Sequence, residues 1–141
     1  MRVISKILIF IYTYFKDYAN INNQTNISNK QNPLPNLLEA VKLTASMHAG
    51  DNRFHPYTIM RNYLMSGNAN YFSGDSTTGV KCRSLMTGYN CNFIRQKLID
   101  LAISNGRLQK KQFYNSSDFE IALNHFWNLH KSTLLSGWEN K

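Results

Sequence analysis

The chain has 141 residues, 43% hydrophobic and 13% aromatic, with a formal charge of +8 at pH 7. That apolar content is ample for a packed core and excludes a disordered polymer, and the length allows one domain with one appendage. Two cysteines, Cys82 and Cys91, are too few for a disulfide scaffold and lack the paired spacing of a zinc site, so reduced thiols in a cytosolic protein are expected.

The first stretch, VISKILIFIYTYF, is strongly apolar but only thirteen residues long and broken by Lys6. It falls short of the roughly 20 residues that span a bilayer, and no small-residue cleavage site follows it. Ile4, Ile7, Leu8, Ile11, Tyr14, Phe15 and Tyr18 recur at intervals of three and four, which predicts a packing helix over 1–18. A docking or dimerisation role is favoured, with a signal-anchor as the alternative.

Residues 19–36, ANINNQTNISNKQNPLPN, are rich in Asn and Gln and closed by two prolines, the composition of a linker. The globular part is then expected over 37–141. Asn36 suits the cap of its first helix, with Glu39 three residues on, and Leu37, Leu38, Val41, Ala45 and His48 form the inner stripe. Pro56 suits the first turn of a second helix, with Ile59, Met60, Tyr63 and Leu64 inward and Gly67 as its stop. Residues 68–76 are turn chemistry with room for a short strand.

A third helix is predicted from Thr77 or Thr78 to Met86, broken at Gly88, and a fourth is capped by Asn90, with Ile94, Leu98, Leu101 and Ala102 along one face. Asn105-Gly106 ends it through the left-handed conformation that those residues tolerate. RLQKKQFY, from Arg107, has the pattern of a strand with Leu108 and Phe113 as apolar points. Ser117-Asp118-Phe119-Glu120 matches a capping box for a last helix whose stripe is Phe119, Leu123, Phe126, Trp127 and His130.

The charge is not spread evenly. From Arg53 to Lys111 there are nine basic residues against two acids, Asp75 and Asp100, whereas residues 1–52 sum to +2 and 112–141 to −1. A polyanion is the natural partner for such a segment.

Within that segment, GYNCNFIRQKLIDLAISNGRLQKKQF, residues 88–113, follows a short helix with a glycine turn, a helix, and a basic tail entered by a glycine and then an apolar residue. The arrangement over 54–114 resembles the winged helix-turn-helix DNA-binding family. The resemblance implies a mainly α fold with a small β-hairpin, a winged helix-turn-helix domain carrying extra N- and C-terminal helices. It further implies that Ile94, Leu98 and Leu101 anchor a recognition helix whose outer face reads bases through Asn90, Asn92, Arg95 and Gln96. Lys81 and Arg83 on the preceding helix, with Arg107, Lys110 and Lys111 on the wing, would grip phosphates.

Other constellations are weak. His48 and His55 flank Asp51 in HAGDNRFH without a metal-ligand spacing, and His125 and His130, five apart, share no helix face. Cys91 at a helix start has no base or oxyanion hole that can be placed beside it. The three sequons beginning at Asn23, Asn26 and Asn115 are expected by chance in an Asn-rich chain. Tyr71, Phe72, Tyr89, Phe93, Phe113 and Tyr114 lie among cations, a pattern that suits base stacking but more often marks a core.

The expectation is therefore a cytoplasmic, nucleoid-associated transcriptional regulator of bacterial, phage or plasmid type that binds double-stranded DNA sequence-specifically, without catalysis or cofactor. A homodimer through the first or last helix is anticipated, and a membrane partner is not. The alternative is a non-enzymatic interaction or inhibitor protein whose basic face binds a host protein or nucleic acid.

Overall fold

Helix α1, Leu34–Met47, begins earlier than the Asn36 cap would place it. Pro33 occupies the cap position, and Asn32 Oδ1 accepts the Leu34 N–H at 3.1 Å. Proline is tolerated in a first helical turn because its missing N–H has no helical acceptor there, so the Pro33/Pro35 pair opens the helix instead of closing a linker. Asn36 sits inside α1 and donates from Nδ2 to the Leu85 carbonyl at 3.0 Å. The computed structural model describes residues 32–66, 71–72 and 76–139. The helix expected over 1–18, residues 19–31 of the linker, the Gly67 stop and most of 68–76 lie outside the described residues.

Four more helices follow: α2, Pro56–Ser66; α3, Thr77–Met86; α4, Cys91–Ser104; and α5, Ser116–Glu139. A single 3₁₀ turn, Asn52–Phe54, joins α1 to α2, with Asp51 as its cap. Helix α1 is the hub and touches all four of the others. Its buried face is Leu37, Ala40, Val41 and Ala45, and the alanines let neighbouring backbones come close. At Gly137 of α5 a Cβ would lie 2.3 Å from Ser46 Oγ.

Cross-contacts fix the helix directions. Thr44 meets Cys82 while Asn36 meets Leu85, so α1 and α3 run antiparallel. Tyr57 meets Asn124 and Arg61 meets Glu120, so α2 and α5 are antiparallel. Asn105, just past α4, bonds His125 at 2.8 Å, whereas Asn92 and Arg95 face Ser116 and Phe119 across a cleft; α4 and α5 therefore run parallel.

That parallel pairing overturns the expected hairpin. Helix α4 is 14 residues and hence about 21 Å long, and the segment 105–115 must carry the chain back over that length before α5 can start beside it. A hairpin goes out and returns, with no net travel. The segment is spent on a single pass, and among the described residues there is no strand. The fold is an all-helical bundle, not a winged helix-turn-helix. Nor does α3 pack closely on α4 as the two helices of that motif would; its main partner is α1.

The glycine-then-apolar step at Gly106 has a different cause as well. Gly106 has φ +74°, its N–H donates to Ile103 O at 3.0 Å, and the Arg107 N–H donates to Ala102 O at 2.8 Å. This pair of bonds is a Schellman stop, and it satisfies the last carbonyls of any helix, whatever comes next. No helix among the described residues is long and apolar enough to cross a membrane.

Candidate functional site

Helix α4 was expected to turn Ile94, Leu98 and Leu101 inward. Ile94, Leu98 and Ala102 are fully buried, joined by Cys91 and Ile99, while Leu101 is only half-buried. Ala102 lies on the inner face as expected, but at 100° per residue the burial of Ile99 and Cys91 in place of Leu101 swings that face by roughly 40°. The swing carries Arg95, one turn before Ile99, toward α5 and away from open solvent.

The four expected base-reading residues consequently separate. Asn90 caps α4, its Oδ1 accepting the Phe93 N–H at 2.7 Å, so its side chain faces its own helix. Gln96 is exposed and donates from Nε2 to Asp100 Oδ1 at 2.9 Å. Asn92 is exposed at the start of the same face. Arg95 is half-buried, its guanidinium carbon 5.8 Å from the centre of the Phe119 ring, and its Nε is buried without a hydrogen-bond partner.

Asn92, Arg95 and Gln96 form one wall of an open cleft of about 450 Å³. The opposite wall is Tyr114, Asn115 and Ser116 with the first turn of α5, and the apolar floor is Met65, Ile99 and Phe119. Glu120 also lines it, in an ion pair with Arg61.

The far wall is held rigidly. Asn115 Oδ1 accepts the Asp118 N–H and Asp118 Oδ2 accepts the Asn115 N–H, both at 3.0 Å, a reciprocal cap two residues earlier than the Ser117/Glu120 box that the sequence suggested. Lys111 Nζ donates to Asp118 Oδ1 at 3.0 Å. The Asn115 N–H and the Lys111 ammonium together hold the Asp118 carboxyl below the usual carboxylate range.

The expected phosphate-gripping residues lie elsewhere. Lys81 and Arg83 are exposed on α3, and Arg107 and Lys110 are exposed on the return segment. Lys111 is committed to Asp118. The ion pairs among the described residues are Arg53–Asp51, Arg61–Glu120 and Lys111–Asp118. Lys81, Arg83, Arg95, Lys97, Arg107 and Lys110 enter none of them, and Asp100 is the one acid in residues 81–110.

Of the histidines, His48 stacks on Phe54 at 3.7 Å, and His55 meets Trp138 edge-on and Trp127 at a tilt while accepting the Tyr57 N–H at Nδ1. No group of three or more His, Cys, Asp or Glu that could hold a metal occurs among the described residues. Both cysteines are buried thiols outside any disulfide, Cys82 Sγ donating to Ala40 O and Cys91 Sγ to Tyr63 O, each at 3.5 Å.

Sequence reasoning missed the cleft. Asn115 and Asp118 carried a signal, an Asn-x-x-Asp cap two residues before the one chosen. Tyr114 and Met65 carried none, since nothing local says that α2, α4 and α5 meet at one end. Comparison of the chain with protein-family models, with curated proteins and with solved structures yields no match.

Proposed function

We propose that the chain is a non-enzymatic DNA-binding protein that grips the phosphate backbone of a duplex through the exposed cations of α3 and the return segment. The observation that carries this reading is the charge distribution: Lys81, Arg83, Arg107 and Lys110 are exposed and enter none of the ion pairs among the described residues, against Asp100 as the one acid between Lys81 and Lys110. Arg53, Arg61 and Lys111, by contrast, each hold a carboxylate partner. A run without such partners keeps its charge free for a polyanion, and phosphate is the polyanion whose spacing rewards several cations at once.

Base reading has narrower support than backbone binding. Asn90 and Arg95 face the protein itself, which leaves Asn92 and the outer edge of Gln96 to meet a base. A backbone binder of this kind acts by occupying DNA in the cytoplasm, at the nucleoid, with modest sequence preference. The test is titration of labelled random duplex by fluorescence anisotropy across salt concentrations. Binding at about 50 mM salt, falling linearly on a log–log plot with a slope set by the cations engaged, supports the reading. Absence of binding at that salt refutes it.

A second reading rests on Phe113, 81% exposed beside Lys110 and Lys111. A bare aromatic flanked by cations suits docking on a host protein, and Phe113→Ala would then abolish that contact without altering the salt slope on DNA.

A further inference from the structure

We propose that the cleft between α4 and the first turn of α5 is a binding site for a small organic monocarboxylate, with Arg95 as the residue that takes the carboxylate. The inference is independent of DNA binding. At about 450 Å³ the cleft has the volume of small-molecule sites in general, and it pairs an apolar floor with a few polar groups on its walls.

Arg95 is the chemical centre. Its Nε is buried and donates to nothing, and the group packed against its guanidinium is the Phe119 ring, which offers no oxygen acceptor. Arg95 lines the cleft, so an anion there meets the terminal N–H groups of its planar guanidinium, which match a carboxylate, while the sealed Nε stays behind in the wall.

Charge selects among anions. Glu120, the acid lining the cleft, is engaged by Arg61, and neighbouring Asp118 is engaged by Lys111. Arg95 is thus the single uncompensated charge of the lining, which suits one negative charge. A phosphate monoester, close to a dianion at neutral pH, would set its second charge beside Glu120. Asn92 and Gln96 supply neutral hydrogen-bonding groups at the rim, and the Met65, Ile99 and Phe119 floor takes a hydrocarbon or aromatic body.

The experiment titrates the full chain, free of nucleic acid, with phenylacetate, 2-phenylethanol and phenyl phosphate, followed by amide chemical shifts and calorimetry. Phenylacetate is expected to saturate at submillimolar concentration and to shift the amides of Asn92, Gln96 and Phe119. It should bind about tenfold more tightly than the neutral alcohol, and Arg95→Met should remove that advantage.

Arg95→Lys, which keeps the charge but loses the fork, should retain part of the affinity. Asn92→Trp, on the exposed rim, should block the cleft while leaving the thermal melt intact. Equal binding of acid and alcohol, preference for phenyl phosphate, or no saturation by about 10 mM phenylacetate would each overturn the assignment.

Discussion

Arg95 lies over the ring of Phe119, its guanidinium carbon 5.8 Å from the ring centre and its Nε sealed from solvent. The contact gains about 0.5–1 kcal/mol as a cation–π pair. The stranded N–H costs about 1–3 kcal/mol, so the balance at Arg95 is unfavourable. Arg95→Met keeps the stem against Phe119 and discards the donor. It should raise the stability measured by urea denaturation by roughly 1 kcal/mol, whereas Phe119→Ala should lower it by about 3–5 kcal/mol. A loss of stability in Arg95→Met would mean that the guanidinium has a partner of its own in solution.

Asp100 offers a test of the cationic surface from the opposite direction. It is the one acid between Lys81 and Lys110, and it accepts from Gln96 one turn earlier on the exposed side of α4. Asp100→Asn preserves an acceptor for Gln96 and removes the negative charge. If duplex DNA runs along this side, affinity at low salt should rise by about two- to fivefold and the advantage should shrink as salt shortens the screening length. Unchanged affinity would move the DNA to the α3 cations, where Lys81→Ala with Arg83→Ala should then weaken binding.

The helices were legible because their signals are local. Pro56 and Asn90 mark starts by chemistry within one turn, and Gly106 marks a stop in the same way, whereas the Ser76 cap of α3 went unread. What failed was everything that depends on the direction of neighbours. RLQKKQFY looks like a strand in isolation, yet parallel α4 and α5 require it as a return path. Arg95 reads as solvent-facing if Leu101 anchors α4, but Ala102 and Ile99 are buried more deeply, and a rotation this small moves one arginine from groove reader to cleft wall. The apolar positions 94, 98, 99, 101 and 102 fit either face, and only the position of α5 decides between them.

Gly137 and Ser46 make a coupled pair at the crossing of α1 and α5. A Cβ at Gly137 would press on the Ser46 hydroxyl at 2.3 Å but only touch Ser46 Cβ at 3.5 Å. Alanine in a helix is favoured over glycine by about 1 kcal/mol. Gly137→Ala alone should therefore gain little, because the hydroxyl must rotate away. Together with Ser46→Ala it should gain about 1 kcal/mol, and thermal melts of the double-mutant cycle should show that non-additivity. Strictly additive values would mean that the two helices sit further apart than this.

Stability should also depend on pH in two separate windows. Burial pushes His130, beside Phe126, below its ordinary value. The unfolded chain then takes up a proton that the folded chain resists, so this contribution is complete above about pH 6.5 and is lost as pH falls through the lower folded value. Asp118 is held low by the Asn115 N–H and by Lys111, so its contribution is complete above about pH 4 and is lost further down, as the folded carboxyl itself takes a proton. Denaturation midpoints followed from pH 8 to pH 3 should fall in two steps. His130→Phe should erase the upper step, and Asp118→Asn should shrink the lower one, which Asp51, held low by its hydrogen bonds from Arg53, shares; exchange of those effects would refute both assignments.

Gly106 closes α4 as a Schellman stop and is needed there only for its φ of +74°, since a Cβ would meet no atom within 4 Å. Gly106→Ala should then cost about 1 kcal/mol from backbone strain alone, and Gly106→Asn appreciably less because asparagine tolerates the left-handed region. Duplex affinity measured well below the melting temperature should be the same for all three proteins. A variant that stays folded yet loses DNA would show that the glycine serves the chain beyond it.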